Sequence, residues 1–523
     1  MVSDDRGHAG PAEDPSPATS EIASLGVAEL RRRFEAREMT SVELLTLLLE
    51  RIEAVDRKGP SLHAVLAVSD DALDVAAQLD AERSAGRVRG LLHGIPVLVK
   101  DNIDTATGAP TTAGSLALAT TRPGADAWVV RQLRSAGAIV LGKTNLSEWA
   151  NFRSRHSSSG WSGCGGQTRN PYVLDRSPSG SSSGSGAAVA AGLAPLALGT
   201  ETDGSILSPS AVSGLVGIKP TVGRVSRTGV VPVSATQDTV GPMARSVADA
   251  AELLAVISGP DPADPATRAR RAGRLEKVGT LGPSGLRGVR LGVARSEFFW
   301  QSARAEALVE EALAVMAAAG AIMVDPANLP ASAALRQSGD EMTVMLTEFK
   351  VGVEAYLRTR HAPGADVPRS LAELIEFNTS HSAEELHWFG QDLFIDAERT
   401  SGLDDPLYRK ARARGLRRSR AQGIDAALSE HGVTALVAPT TSPAWCIDLV
   451  NGDSKMAGSG YKAAAIAGYP AITLPIGLVS GLPIGISLIG RAWDERHLIE
   501  VAAGIEAALK VALRPAFLPA AEA

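Results

Sequence analysis

Cysteine is nearly absent from this chain of 523 residues: there are only two, Cys164 and Cys446. That excludes a disulfide framework and a cysteine-rich zinc site, and it suits a reducing compartment. Long apolar runs are missing too. The most apolar stretches, 187–198 and 312–324, are short and broken or flanked by Gly, Pro or Glu, below the roughly 18 to 20 residues a spanning helix needs. There is no excess of basic charge, since 52 Lys and Arg face 58 Asp and Glu for a formal charge of −6. A nucleic-acid-binding or membrane-surface protein would carry a basic face or tract. The first twenty residues hold no basic start followed by an apolar run; rich in Pro, Asp, Ser and Gly up to Ser20, they read as a disordered tail (1–20), not a signal peptide. The cytoplasm is the default location.

What is present is an ordinary globular composition, 45% hydrophobic and 21% charged, with enough chain for a large core. Apolar residues recur at three- and four-residue spacing over 24–54 and 69–85, as amphipathic helices require. The segment Gly94-Ile-Pro-Val-Leu-Val-Lys-Asp reads as a buried strand ending on a lysine. Helix (127–135) and strand (138–141) follow, and the alternation continues through strands 289–294, 322–324, 435–438, 471–474 and 483–489 and helices 303–319 and 411–430. This predicts an α/β fold, a large mixed β-sheet sandwiched between helices on both faces. We expect one domain over 21–523, with a surface excursion near 260–287 where Pro, Asp, Arg and Gly crowd together.

Several motifs are decoys. Gly137-Ala-Ile-Val-Leu-Gly-Lys-Thr144 fits a phosphate-binding P-loop, but its interior is itself strand-like, so its N–H groups belong to a sheet and Lys143 to a strand end. Gly180-Ser-Ser-Ser-Gly184 fits the nucleophile elbow around Ser182. That elbow needs a downstream acid and histidine, and His361, His381, His387, His431 and His497 read as surface or capping residues. The cluster His381, Glu384, Glu385, His387 lacks the paired histidines of a zinc helix, and an exposed helix face is the expectation.

There remains amide hydrolysis without histidine. A serine hydroxyl attacks only once a base takes its proton, and a neutral lysine acting through a second hydroxyl can serve. Lys100 at a strand end, Ser181 in a Gly/Ser loop and Ser205 at the close of a second Gly-rich turn supply such a relay. Gly and Ser ahead of a helix start also aim backbone N–H groups at an anion or oxyanion.

Three ordered segments, joined by a tail, resemble the amidase signature family from about Leu30 to Ala507. They are Gly94-Ile-Pro-Val-Leu-Val-Lys-Asp-Asn-Ile-Asp104, Ser177-Pro-Ser-Gly-Ser-Ser-Ser-Gly-Ser-Gly-Ala-Ala-Val-Ala-Ala-Gly192 and Gly199-Thr-Glu-Thr-Asp-Gly-Ser-Ile-Leu-Ser-Pro209, then Gly481-Leu-Pro-Ile-Gly-Ile-Ser-Leu-Ile-Gly-Arg491. The resemblance implies an amidase-signature fold with Lys100 as base, Ser181 as the intermediate serine held in a cis peptide, and Ser205 as nucleophile. Backbone N–H groups of Thr202, Asp203, Gly204 and Ser205 would form the oxyanion hole. No cofactor and no metal are implied.

For Lys100 to accept a proton it must be neutral, so burial by Val97, Leu98 and Val99 must lower its pKa by several units from about 10.4. Leu207 stands where most members carry arginine, which removes one carboxylate contact. The form Glu201-Thr-Asp-Gly-Ser-Ile resembles the peptide amidases of the family. Deamidation of C-terminal peptide amides is therefore expected. Aryl acylamidase or broad amidase activity is the alternative, and the non-enzymatic one is a silent scaffold subunit. The expected partners are a small-molecule or peptide amide substrate, with no nucleic acid and no membrane, in a monomer or homodimer.

Overall fold

A computed structural model describes residues 17–269, 273, 275, 282–296, 302–360, 367–454 and 460–521. Eleven strands form one sheet in the order Val65–Val68, Ile139–Thr144, Pro96–Lys100, Leu196–Glu201, Thr239–Ala244, Val216–Lys219, Ala471–Val479, Leu482–Ile489, Ala435–Pro439, Arg290–Val293 and Ile322–Val324. The sheet is mixed. Pro96–Lys100 runs parallel to both of its neighbours, Ile139–Thr144 and Leu196–Glu201, whereas Thr239–Ala244 returns antiparallel beside the latter, pairing Glu201 with Thr239.

Side chains alternate across a strand, and the lysine strand shows what that does. Val97 and Val99 enter the core on one face of the sheet, with the helices Trp128–Ser135, Val247–Ile257 and Glu495–Leu509. Leu98 enters the core on the other face, with Ala72–Ser84 and Ser183–Ala190. Lys100 continues the Leu98 face, so its side chain leaves the sheet toward the loop that opens the helix Ser183–Ala190. The large mixed sheet covered by helices on both faces is as the sequence predicts.

Two expected helices are broken. The stretch 24–54 ends its first helix, Val27–Glu35, before Arg37 takes a positive φ of 58°. It restarts as Ser41–Arg51, capped reciprocally by the Thr40 and Glu43 side chains, and runs into a π-helical turn, Ile52–Arg57. The stretch 411–430 divides at the π-helical turn Arg420–Ile424. Of the expected tail, residues 1–16 lie outside the described residues, and Pro17 opens the helix Pro17–Ile22. The expected excursion is described in part, with single turns at Pro265–Arg268 and Pro283–Leu286. No helix among the described residues is long and apolar enough to cross a membrane.

Candidate active site

Lys100 is completely buried. Its Nζ donates to Ser181 Oγ at 2.7 Å, to Thr200 Oγ1 at 2.9 Å and to the Thr200 carbonyl at 3.3 Å. Burial drives its pKa well below the usual lysine value, against the opposing pull of the Asp238 and Glu201 charges. Desolvation disfavours the charged form of the amine, the direction a proton acceptor needs. Asn102 donates to the same Thr200 hydroxyl at 3.0 Å, which fixes the partner that orients the lysine.

Ser181 follows a cis peptide bond from Gly180. A Cβ on Gly180 would fall 2.2 Å from Ser147 Oγ, so only glycine lets the loop lie this close to its neighbour. The Ser181 carbonyl accepts from Ser147 N at 3.2 Å, and Ser182 N donates to the Ser205 carbonyl at 3.2 Å. The first bond ties the serine loop to Ser147 and the second docks it on the 202–205 turn, with Ser205 retaining 8% exposure.

The turn after strand Leu196–Glu201 is shaped by charges and close contacts. Glu201 Oε2 accepts the N–H groups of Ile206 at 2.7 Å and Leu207 at 2.9 Å, folding the chain back and starting the helix Leu207–Val212. Thr202 Oγ1 donates to Asp238 at 2.6 Å. Asp238 also accepts from Val233 N and Ser234 N, and burial nonetheless pushes its carboxyl up to about 6. Gly204 adopts a φ of +83°, and a Cβ there would meet the Tyr461 ring at 2.3 Å. Among the described residues, no acceptor takes a hydrogen bond from the N–H groups of Thr202, Asp203, Gly204 or Ser205. Adjacent N–H groups without an acceptor beside a serine can receive a developing negative charge where they converge on it.

The structure thus brings Lys100, Ser181, Thr202, Asp203, Gly204 and Ser205 into one place. The decoys Ser182 and Lys143 are engaged in other bonds. Ser182 is tied to Thr200 through its hydroxyl, which donates to the carbonyl at 3.0 Å and accepts from Thr200 N at 3.2 Å. Lys143 sits inside a strand, buried, donating to Thr111 Oγ1 at 2.8 Å and to the Ile103 carbonyl. His381, His387 and His497 are exposed, His431 is half-buried, and His361 lies outside the described residues.

The exposed-face expectation for 381–387 is corrected at Glu385, which is completely buried. Arg153, itself buried, draws it inward at 3.2 Å and binds Glu148 at 2.7 Å. Ser115 and Leu116 N also donate to Glu385. No group of three or more metal-ligating side chains occurs among the described residues. Sequence reading missed Thr200, Asp238, Gln237, Glu341, Tyr461 and Lys462 around the turn. Of these only Thr200 lies inside one of the family motifs, where a β-branched residue near a strand end reads as ordinary.

A fold of this kind, built around a buried lysine, paired serines and a turn of free donors, defines an amide-hydrolysing enzyme. The amidase family model matches residues 43–499, and the chain belongs to that family. It is similar to the peptide amidase of Stenotrophomonas maltophilia, with 51% identity and a TM-score of 0.89 over 94% of this chain and 99% of that one. It is 38% identical to a probable amidase of Arabidopsis thaliana, over 96% of this chain and 93% of that protein. It is also 39% identical to a glutamyl-tRNA(Gln) amidotransferase subunit of Symbiobacterium thermophilum, over 91% of this chain and 95% of that protein.

Proposed function

We propose that the enzyme hydrolyses linear carboxamides through a Lys100–Ser181–Ser205 relay and that its substrates are C-terminal peptide amides. The observation that carries the reading is the buried Lys100 amine hydrogen-bonded to Ser181 at 2.7 Å beside a turn whose N–H donors are unspent. Neutral Lys100 takes the Ser181 proton as Ser181 takes that of Ser205, and Ser205 Oγ attacks the amide carbonyl. The oxyanion is received by the N–H groups of the 202–205 turn, each worth about 3 to 4 kcal/mol in the transition state. Ammonia leaves with the relayed proton, and water then hydrolyses the acyl-enzyme by the reverse path. This chemistry needs no metal or cofactor.

Likeness to peptide amidase over nearly the whole chain supports the substrate. So does Leu207, buried in an apolar cluster with Leu436, Ala438 and Ala471, which offers no cation to a substrate carboxylate. The unpaired Cys164 and Cys446 fit a cytoplasmic enzyme. The test is ammonia release from a blocked dipeptide amide beside aniline release from an acylated anilide, with Ser205→Ala as control. Ammonia release lost in the variant is the expected result. Aniline release alone moves the substrate to aryl amides, and full activity in Ser205→Ala moves the nucleophile.

A further inference from the structure

Side chains outside the relay close a ring on the 202–205 turn. Lys462, first residue of the helix Lys462–Ala467, places Nζ 3.2 Å from Asp203 Oδ2. The same ammonium is paired with Oε2 of Glu341, near the start of the helix Asp340–Arg360. The other Glu341 oxygen accepts from Gln237 Nε2 at 3.1 Å, and that amide also donates to the Thr202 carbonyl at 3.2 Å. Thr202 is thus gripped through its carbonyl and Asp203 through its carboxylate, and both grips end on Glu341. Tyr461, adjacent to Lys462, packs over Gly204, so one helix start touches two consecutive residues of the turn.

The ring has two physical consequences. A free N–H donor stabilises an oxyanion only if it is already aimed, and a turn made of Gly and short polar residues has no stiffness of its own. A partly buried hydrogen-bonded ring supplies that stiffness, because moving any member breaks bonds at both sides. The Asp203 carboxylate also lies within the donor turn, where an unpaired negative charge would oppose the oxyanion. The Lys462 ammonium offsets it at 3.2 Å. Asp340, the neighbouring acid, is turned away from the turn and bound by Arg414 at 3.0 Å and Arg418 at 3.2 Å, which leaves Glu341 as the carboxylate that faces Lys462 from that helix.

We propose that Glu341, acting through Lys462 and Gln237, is a positioning residue that holds the oxyanion-binding N–H groups of the 202–205 turn in place without touching substrate. The proposal rests on the assignment of Ser205 as nucleophile. A ring that served stability alone would change the melting temperature and leave turnover of the folded enzyme intact. A positioning ring lowers kcat and spares KM, because the donors act on the transition state.

The experiment compares kcat, KM and melting temperature of the full chain on a blocked dipeptide amide for Glu341→Gln, Lys462→Met, Lys462→Arg and the Glu341→Gln/Lys462→Met double variant. Loss of one oxyanion donor costs about 10²- to 10³-fold in kcat, so a displaced turn is expected to cost about ten- to hundredfold, with KM within about threefold. Lys462→Arg, which keeps the charge, is expected to recover most of the rate. The double variant should be little worse than either single one, since both break the same ring. Turnover of Glu341→Gln and Lys462→Met within about twofold of the parent overturns the proposal, as does a rise in KM at constant kcat. Where Glu341→Gln fails to fold, the contrast between Met and Arg at the half-buried position 462 decides. Ser205→Ala runs alongside: activity retained there strikes the relay, whereas a dead Ser205→Ala with an unimpaired Glu341→Gln strikes the ring alone.

Discussion

Lys100 Nζ lies 2.7 Å from Ser181 Oγ, and both residues are sealed from water at 0% exposure. The pair is useful to the reaction only while the amine is neutral. Lys100→Met is expected to lower kcat/KM by several orders of magnitude, on the order of the 10⁴-fold that loss of a general base costs elsewhere. Ser181→Ala should cost less, since a water can bridge part of the gap. In the parent, activity should fall as the pH drops through the lowered Lys100 pKa. Steady-state ammonia release across pH measures all three, and near-parental rates in both variants would remove the relay.

The same burial makes a stability prediction of definite sign. The folded-state pKa of Lys100 is depressed, so below the unfolded value of about 10.4 the unfolded chain binds a proton that the native chain refuses. The parent therefore loses stability as the pH falls from about 10.4 toward the depressed value. Lys100→Met has no such group. Whatever the constant offset from lost hydrogen bonds to Ser181 and Thr200, the melting temperature of the variant relative to the parent should rise from about pH 9 to about pH 6. A flat difference would mean that Lys100 is charged in the folded protein.

The lysine strand was legible as a strand because Val97, Leu98 and Val99 form a local apolar run that must be buried; burial of Lys100 itself is expected only through the family resemblance, since a strand-end lysine taken alone reads as exposed. The serine loop and the 202–205 turn were legible through the order of the family motifs, since a Gly- and Ser-rich tract taken alone also reads as a linker. The clamp around them was not. Gln237, Glu341 and Lys462 reach Thr202 and Asp203 from distant parts of the chain; a lone Glu at a helix start reads as a charge placed for the helix dipole, and a lone Gln or Lys as a solvated side chain. Glu385 misled for the same reason in reverse. Its neighbours His381, Glu384 and His387 are exposed, and only the fold reveals that Arg153 pulls this one side chain into the interior.

Gly204 tests how closely the turn is fitted. Its φ is +83°, and a Cβ would stand 2.3 Å from the Tyr461 ring. Gly204→Ala therefore meets two penalties, a left-handed backbone costing about 1 to 2 kcal/mol and an overlap costing about 1 to 3 kcal/mol unless Tyr461 moves. Movement of either partner displaces the donor turn, so kcat should fall by about tenfold or more. Gly402→Ala is the control, since that residue has a φ of +91° with nothing within 4 Å. It should show the backbone cost in its melting temperature and unchanged kcat. Equal kinetics for the two variants would separate Gly204 from catalysis.

Arg153 anchors the segment between Trp149 and Trp161. Its guanidinium is bound to Glu148 and Glu385, all three side chains at 0% exposure, and it also stacks over the Phe389 ring at 4.3 Å. Arg153→Met keeps the aliphatic part of the packing but leaves two carboxylates buried together without a cation, a loss expected to cost about 3 to 5 kcal/mol. Burial already raises Glu148 well above the ordinary carboxylate range even with Arg153 in place. Removing the cation raises it further, so the variant should take up protons on folding and recover stability, relative to the parent, as the pH is lowered from about 8 toward about 5. The triple replacement by Met at 153 and Gln at 148 and 385 removes every charge and should regain much of the loss. Urea melts of the three proteins at those two pH values measure this. A single-variant deficit that does not shrink at the lower pH would mean that the cost comes from lost packing against Phe389 and Trp161 and that the buried charges do not set it.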